Sequence, residues 1–310
     1  MELRKAYVAE MARLMKQNDK IFILDADLSG AGGTKTLHQQ FPERCVQCGI
    51  AEANMTCIAA GLSASGFVPF IHSFAPFSTR RVYDQIAVSI SYSEQNVKIV
   101  GFDPGIETTY NGGTHMCFED FALMRALPNF VVMDIVDDVQ LTKALPHIAQ
   151  HQGSVYFRMV RKQNKQFFGE DYNFQWGKAD KICSGSDVTI VATGTTVFDA
   201  KVAVEKLAQV GISAELLAIH TVKPLDEQAI LQSAQKTGVV VMVENHSVHG
   251  GLYSAVCELL SAKHPTLCGA IAVHDQISQV GSLNDLKIAY HLTADDIASK
   301  AQQLVQAKRG

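Results

Sequence analysis

Two spacings of hydrophobic residues alternate along this chain. The first segment is apolar on one helical face, which predicts an amphipathic helix with inward positions Leu3, Tyr7, Met11 and Leu14. A short apolar run at 21–24 follows it and is typical of a buried strand. The segment at 50–62 is apolar on nearly every side, which predicts a mostly buried helix that ends at Gly61 or Gly66.

The same alternation continues to residue 159. Strand-length runs rich in Val, Ile and Phe are separated by segments with helical spacing, a pattern that predicts a parallel, doubly wound sheet covered on both faces. The predicted strands are 45–48, 67–70, 97–102, 130–133 and 155–159, and the later predicted helices are 81–91, 121–126 and 139–149. Between them, the polar loop at 103–114 is long enough to be a functional loop.

Beyond this region the periodicity lapses into polar and aromatic residues, which predicts an inter-domain linker. A second alternation follows, with predicted strands at 188–192, 213–218, 239–243 and 270–273. The predicted fold class is therefore α/β, with two doubly wound domains. Their predicted bounds are 1–165 and 186–310, joined by a linker at 166–185.

Composition narrows the possible functions. The chain has 310 residues, of which 47% are hydrophobic and 19% charged, and a net charge of −4 gives no electrostatic reason to expect nucleic acid. The apolar runs are too short to cross a membrane, and the charged N-terminal helix does not resemble a signal peptide. Seven cysteines, an odd number in apolar segments, indicate reduced thiols. We therefore expect a cytoplasmic protein that binds neither nucleic acid nor membranes.

The sequence predicts no metal site in this chain. Cys45 and Cys48 form a C-x-x-C, but no second pair or histidine lies at ligand spacing, so we interpret them as packing thiols. His147 and His151 lie one helical turn apart on a polar helix end, which usually indicates a solvated face.

A single carboxylate, Glu52, opens the apolar helix at 50–62. An acid there has a structural explanation, because a carboxylate near a helix N-terminus gains about 0.3–1 kcal/mol from the helix dipole. Few other carboxylates have such apolar surroundings, however, and the next strand leads into an aromatic pair, Phe74 and Phe77. The pair could be core packing, but together with Glu52 it marks a candidate site.

Several stretches resemble the transketolase family. The segments at 48–55, 73–78, 112–115 and 123–129 are similar to the pyrimidine-binding domain, and those at 192–195, 220–226 and 243–246 to the C-terminal domain. The resemblance is strongest to the C-terminal half of transketolase encoded as a separate chain. It implies a transferase of carbohydrate metabolism that uses thiamine diphosphate to move a two-carbon ketol unit between sugar phosphates.

The resemblance also implies roles at the cofactor. The family residue that matches Glu52 activates thiamine diphosphate by proton exchange with its pyrimidine ring, a general acid–base step worth about 10²–10⁴-fold. Phe74 and Phe77 match the aromatic pair that stacks against the pyrimidine. Asp27 matches an acid that lines the cofactor site across the subunit boundary. The third aromatic of many members falls here at Arg80.

Other matches concern the substrate. His115 matches a catalytic histidine near the substrate hydroxyls. Arg158 and Arg4 fall where the family holds the sugar phosphate, work for which the planar guanidinium is suited.

The metal-binding motif of the family is missing. Family members bind Mg²⁺ and the diphosphate through Gly-Asp-Gly followed later by Asn, and no Gly-Asp-Gly occurs in the 310 residues. The resemblance therefore implies that these ligands belong to a partner, an N-terminal transketolase subunit. We expect a heterotetramer with two chains of each kind, active only when both are present.

Three positions depart from the family pattern in the sugar channel. Asn111 stands where Asp is usual, Asp103 where a phosphate-binding His is usual, and Ala31 where Ser is usual. The amide of Asn111 can both donate and accept hydrogen bonds, whereas the usual carboxylate only accepts them. The negative charge of Asp103 would repel a substrate phosphate. We therefore expect an atypical ketose or ketose phosphate, shorter or branched, in a catabolic route. Apulose phosphate is one candidate.

Two other functions remain open at this point. The β chain of a 2-oxoacid dehydrogenase decarboxylase component has the same two domains and the same Glu, although 113–115 and 123–129 look transketolase-like. A non-catalytic scaffold subunit is the third possibility. Retention of Glu52, Phe74, Phe77 and His115 argues against a scaffold.

Overall fold

The computed structural model describes residues 1–309 and divides the chain into two compact units. One unit comprises Met1–Pro104 and Leu123–Trp176, and the other comprises Gly105–Ala122 and the chain from Gly177 onward. Each unit has a sheet of mostly parallel strands with helices around it, so the predicted fold class is confirmed.

Six parallel strands form the sheet of the first unit. Their order is β5-β6-β4-β3-β1-β2, and neighbouring strands are joined by parallel ladders. The four strands β3 to β6 are buried along their whole length, because helices cover both faces of a parallel sheet. The strands are β1 (Ile21–Asp25), β2 (Cys45–Gln47), β3 (Val68–Phe74), β4 (Lys98–Phe102), β5 (Phe130–Asp134) and β6 (Ser154–Met159).

The helices of this part of the chain follow the predicted pattern with one exception. The apolar face of the first helix is buried, as its spacing predicts. The helix predicted at 81–91 is instead broken into a 3-10 turn at Arg80–Val82, a short α-helix and a π-helix at Ile86–Tyr92. The α-helices are α1 (Leu3–Gln17), α2 (Ser29–Gly32), α3 (Lys35–Gln40), α4 (Glu52–Ala64), α5 (Ala75–Ser78), α6 (Tyr83–Gln85), α7 (Asp120–Ala126) and α8 (Asp138–Gln150).

The second unit has a five-stranded sheet in the order β12-β11-β8-β9-β7, in which only the edge strand β7 is antiparallel. β7 lies inside the segment 166–185, which the sequence predicts to be a linker. The strands of this sheet are β7 (Asp180–Cys183), β8 (Val188–Ala192), β9 (Ala214–Ala218), β11 (Val239–Ser247) and β12 (Leu267–Val273), and the short strand β10 (Thr221–Lys223) lies outside it. The helices are α9 (Thr196–Gln209), α10 (Glu227–Thr237), α11 (Leu252–Lys263), α12 (Leu283–Ala289) and α13 (Ala294–Arg309). No helix within residues 1–309 is both long and apolar enough to span a bilayer.

From Gly105 onward, the predicted functional loop at 103–114 belongs to the second unit. It forms a 3-10 segment at Gly105–Asn111 that is kinked at Thr109, where φ is 49° and ψ is −114°. The Asn245 side chain accepts a hydrogen bond from the Ile106 amide at 3.0 Å, which ties the segment to β11.

Candidate active site

The candidate residues of the first unit gather at one edge of its sheet. Asp27 follows β1, Phe74 ends β3 and Asp103 follows β4, and the carboxyl ends of parallel strands meet at one edge, where open α/β sheets bind ligands. Asp27 and Asp103 have positive φ angles of 58° and 47°. Such strain in residues other than glycine concentrates at functional edges.

Glu52 is the first residue of α4, and it is buried. Its exposed fraction is 4%. Arg81 Nη1 donates a hydrogen bond to Glu52 Oε1 at 2.8 Å, and the Arg81 side chain is 44% exposed. The carboxylate is therefore held out of bulk water beside a cation that reaches solvent.

The two predicted aromatic residues form a corner next to Glu52. The Phe74 and Phe77 rings are 6.2 Å apart and nearly perpendicular, at 87°. The Arg81 guanidinium carbon lies 3.7 Å from the centre of the Phe77 ring. One planar guanidinium therefore contacts both the acid and the aromatic face. The arrangement fits a planar pyrimidine ring that stacks on Phe77 and hydrogen-bonds Glu52.

A second cation, Arg161, lies against the other ring of the aromatic pair. The Arg161 guanidinium carbon lies 4.5 Å from the centre of the Phe74 ring. Arg161 Nη2 lies 2.6 Å from Asp103 Oδ2, and the Arg161 amide donates to Asp103 Oδ1 at 2.8 Å. Arg161 and Arg4 both donate to the backbone oxygen of Ala31, at 3.2 and 3.4 Å. Residues of the predicted cofactor and sugar positions thus form one chain of contacts.

Arg158 does not lie at this edge as a ligand-binding group. Its side chain is 1% exposed, and Nη2 donates to Asp134 Oδ2 at 2.9 Å across the β5–β6 pair. The geometry does not support the predicted phosphate-binding role, because the guanidinium is enclosed in the sheet and committed to a carboxylate. Arg161, three residues further along, reaches Ala31 and Asp103 instead. The sequence signal for Arg161 is its place just after the strand, where side chains reach the ligand edge.

The other predicted residues differ in their surroundings. Asp27 is exposed, and its amide donates to Gln47 Oε1 at 2.6 Å. Asn111 is exposed and His115 is half-buried, and both belong to the second unit. His115 Nδ1 lies 2.9 Å from the hydroxyl of Thr114.

Asp25 is a buried carboxylate at the same edge of the sheet, and the sequence pattern did not single it out. Asp25, the last residue of β1, is fully buried and accepts hydrogen bonds from Thr34 Oγ1 and His38 Nε2, both at 2.8 Å. These bonds fix the segment that contains Ala31. Burial, followed by the charge of Asp25, raises the pKa of Cys45 to about 12. Burial likewise raises the pKa of Cys48, so both thiols of the C-x-x-C stay protonated.

No cluster of three or more His, Cys, Asp or Glu side chains placed to hold a metal occurs within residues 1–309. The location of the metal ligands on a second chain therefore stays a prediction.

Comparisons with known proteins agree with this geometry. Residues 1–166 match the family model described as transketolase, pyrimidine binding domain, and residues 177–297 match transketolase, C-terminal domain. The chain is 46% identical over 306 residues to the 6-deoxy-6-sulfo-D-fructose transketolase subunit SqwH of Clostridium sp. (strain MSTE9), covering 99% of this chain and 95% of that protein.

Two further similarities extend over nearly the whole chain. An apulose-4-phosphate transketolase subunit of Phocaeicola vulgatus is 32% identical over 304 residues, covering 98% of this chain and 97% of that protein. A solved structure described as a split gene transketolase, inactive beta4 tetramer, has a TM-score of 0.90 and 37% identity, covering 99% of this chain and 98% of that one.

Proposed function

We propose that this chain, which belongs to the transketolase family, is the C-terminal subunit of a two-subunit transketolase that acts on a ketose with a terminal anionic group. The observation that carries the proposal is the contact chain from Glu52 through Phe77 and Phe74 to Arg161. It places an acid, an aromatic wall and a cation along one edge. The family depends on thiamine diphosphate, and this edge supplies what the pyrimidine half of that cofactor needs.

Each side chain has a defined task in this proposal. Thiamine diphosphate, when bound, supplies the carbanion chemistry that carries the two-carbon unit. Glu52 would hold the pyrimidine edge and exchange a proton with it at Oε1, and the face of Phe77 would fix the angle of the ring. Asp27, exposed at the same edge, faces the partner chain. His115 hydrogen-bonds a substrate hydroxyl.

The partner chain supplies the Mg²⁺ and diphosphate ligands. The support is the missing Gly-Asp-Gly motif, together with two relatives named as subunits, which this chain matches almost end to end. A related β chain is inactive as a β4 tetramer. We propose two chains of each kind in the active complex and a cytoplasmic location, where all seven cysteines can remain free thiols.

The charge near Arg161 favours a sulfonated ketose over a phosphorylated one. Asp103 neutralises Arg161, and Arg4 pairs at 2.9 Å with Glu2, a carboxylate that also lies 3.9 Å from Lys5. A phosphate monoester carries about −1.5 to −2 charge at pH 7, whereas a sulfonate carries a single charge. Because a carboxylate already neutralises Arg161, this cation stabilises the additional charge of a phosphate less well. We therefore propose 6-deoxy-6-sulfofructose as the donor class, ahead of apulose 4-phosphate.

The test is reconstitution with the N-terminal subunit and comparison of donors. Two-carbon transfer is assayed with 6-deoxy-6-sulfofructose, apulose 4-phosphate and xylulose 5-phosphate, each with glyceraldehyde 3-phosphate or ribose 5-phosphate as acceptor. We expect the highest kcat/KM with the sulfonate. Asp103→Asn should shift the ratio toward the phosphates by about tenfold, or about 1.4 kcal/mol.

Several results would contradict the proposal. A higher kcat/KM for apulose 4-phosphate would keep the enzyme class and replace the substrate. Decarboxylation of a 2-oxoacid without ketol transfer would place the chain in a dehydrogenase complex. Full activity of this chain alone would remove the requirement for a partner.

A further inference from the structure

Arg81 contacts both of the groups that the proposed function assigns to the pyrimidine. Its Nη1 lies 2.8 Å from Glu52 Oε1, and its guanidinium carbon lies 3.7 Å from the centre of the Phe77 ring. The first contact uses the carboxylate that would meet a ring nitrogen. The second uses the aromatic face on which the ring would stack.

A guanidinium resembles the edge and face of a small heteroaromatic ring. It is planar, it stacks on aromatic faces, and its N–H groups hydrogen-bond a carboxylate in its own plane. Since the same cation makes both contacts, the face of Phe77 that it covers is the one turned toward Glu52. A pyrimidine ring cannot occupy that space while Arg81 does.

The local backbone leaves this side chain on the surface and in irregular structure. Arg81 lies in the 3-10 turn Arg80–Val82, between the short helix α5 and the three-residue helix α6. Its side chain is 44% exposed, whereas that of Glu52 is 5% exposed. Of the two partners, the arginine is therefore the one that can move away into solvent.

We propose that Arg81 is a competitor built into the cofactor site, whose guanidinium stands in for the pyrimidine between Glu52 and Phe77 and must swing out before the ring binds. This inference rests on the proposed roles of Glu52 and Phe77. It assigns Arg81 a function that differs from holding Glu52 in place, because a positioning residue would stay with the acid when the cofactor is bound.

The competitor lowers the apparent affinity for the cofactor, because the ring can bind only during the fraction of time in which Arg81 leaves the site open. If the pair with Glu52 is formed about nine-tenths of the time, removing the guanidinium tightens binding about tenfold. The site is then also open at every encounter with the ring, so cofactor association should become faster. A positioning role predicts weaker binding on the same change.

The experiment measures thiamine diphosphate binding to the reconstituted two-chain enzyme, with Mg²⁺ and without sugar, by calorimetry and stopped-flow. The variant is Arg81→Met, which keeps an unbranched stem but has no guanidinium. The control is Arg13→Met, which removes an arginine of similar exposure, 48%, that pairs with Glu10 at 2.5 Å on helix α1. We expect about tenfold tighter, faster binding for Arg81→Met and no change for Arg13→Met.

An affinity for Arg81→Met that equals or falls below that of the unmodified enzyme would overturn the inference. Failure of the proposed function looks different: either the unmodified complex would not bind the cofactor at all, or it would bind the cofactor and Glu52→Gln would leave thiazolium proton exchange unchanged. A complex that binds the cofactor and loses proton exchange in Glu52→Gln, but shows no tightening in Arg81→Met, refutes the competitor alone.

Discussion

Substitutions of Arg158 and Arg161 should have opposite effects on stability and substrate binding, although both arginines lie near the end of β6. Arg158 is enclosed in the sheet and paired with Asp134, and that carboxylate is itself only 5% exposed. Removing one partner of a buried ion pair leaves an uncompensated charge, which costs about 3–5 kcal/mol. A domain of 150–250 residues loses about 2–4 °C of Tm per kcal/mol. We therefore expect Arg158→Met to lower Tm by about 6–20 °C with little change in KM.

Arg161→Lys should show the reverse effect. Lysine keeps the positive charge near Asp103, so Tm should change little, but it lacks the planar fork that meets a sulfonate or phosphate in two places. The loss of a charge-assisted hydrogen bond is worth about 1.5–3 kcal/mol, which corresponds to about 10- to 150-fold in KM. The measurements are thermal unfolding of the purified chain and steady-state kinetics of the complex.

A double variant separates stability from function. Arg158→Met with Asp134→Leu removes both charges, and replacing a buried ion pair with apolar groups is often neutral or stabilising. We expect it to recover most of the lost Tm and to retain the normal KM. A raised KM with an unchanged Tm in Arg158→Met would show that Arg158 binds the substrate, and our reasoning from burial would then be wrong.

Three further predictions concern the isolated chain, Glu52 and His72. The purified chain alone should neither bind thiamine diphosphate with sub-micromolar affinity nor turn over, as calorimetry and a ketol-transfer assay would show. Glu52→Gln in the complex should preserve assembly and slow thiazolium hydrogen–deuterium exchange by orders of magnitude; an unchanged rate would leave Glu52 a structural helix-start acid. Burial lowers the pKa of His72, which lies 2.6 Å from the Tyr7 hydroxyl. Stability linked to His72 is therefore present above pH 6.5 and lost as the pH falls further, by up to about 1.4 kcal/mol per pH unit, because only the unfolded chain then binds the proton. Unfolding of His72→Gln should show a smaller acid slope.

The sequence predicts the fold because its periodicity is clear. Fully buried parallel strands are continuous apolar runs, and the amphipathic helices between them repeat at helical spacing. The break in the helix predicted at 81–91 has no such signal. Whether that segment forms an α-, 3-10 or π-helix depends on packing of individual side chains, and Arg81, which lies in the 3-10 turn, contacts Glu52 and Phe77 from there.

Long-range contacts also escape a reading of the sequence. The segment 105–122 follows β4 directly, yet it belongs to the second unit, where the Asn245 side chain and the Phe118 carbonyl join it to β11. Arg158 is a similar case. An arginine at the end of a strand looks ligand-facing, and only the register that pairs it with Asp134 shows that it is part of the core.

Arg161 explains the departure at Asp103. A guanidinium has five N–H donors. Nε and Nη2 lie 2.8 and 2.6 Å from Asp103 Oδ2, and Nη1 donates to the Ala31 carbonyl, so three of the five are committed within the chain. Two donors remain for a ligand, on a cation already neutralised by a carboxylate. A terminal group with a single negative charge needs less compensating positive charge from Arg161 than a dianion does. The substitution that looks most harmful to phosphate binding, Asp103, therefore supports a sulfonated ketose as the substrate.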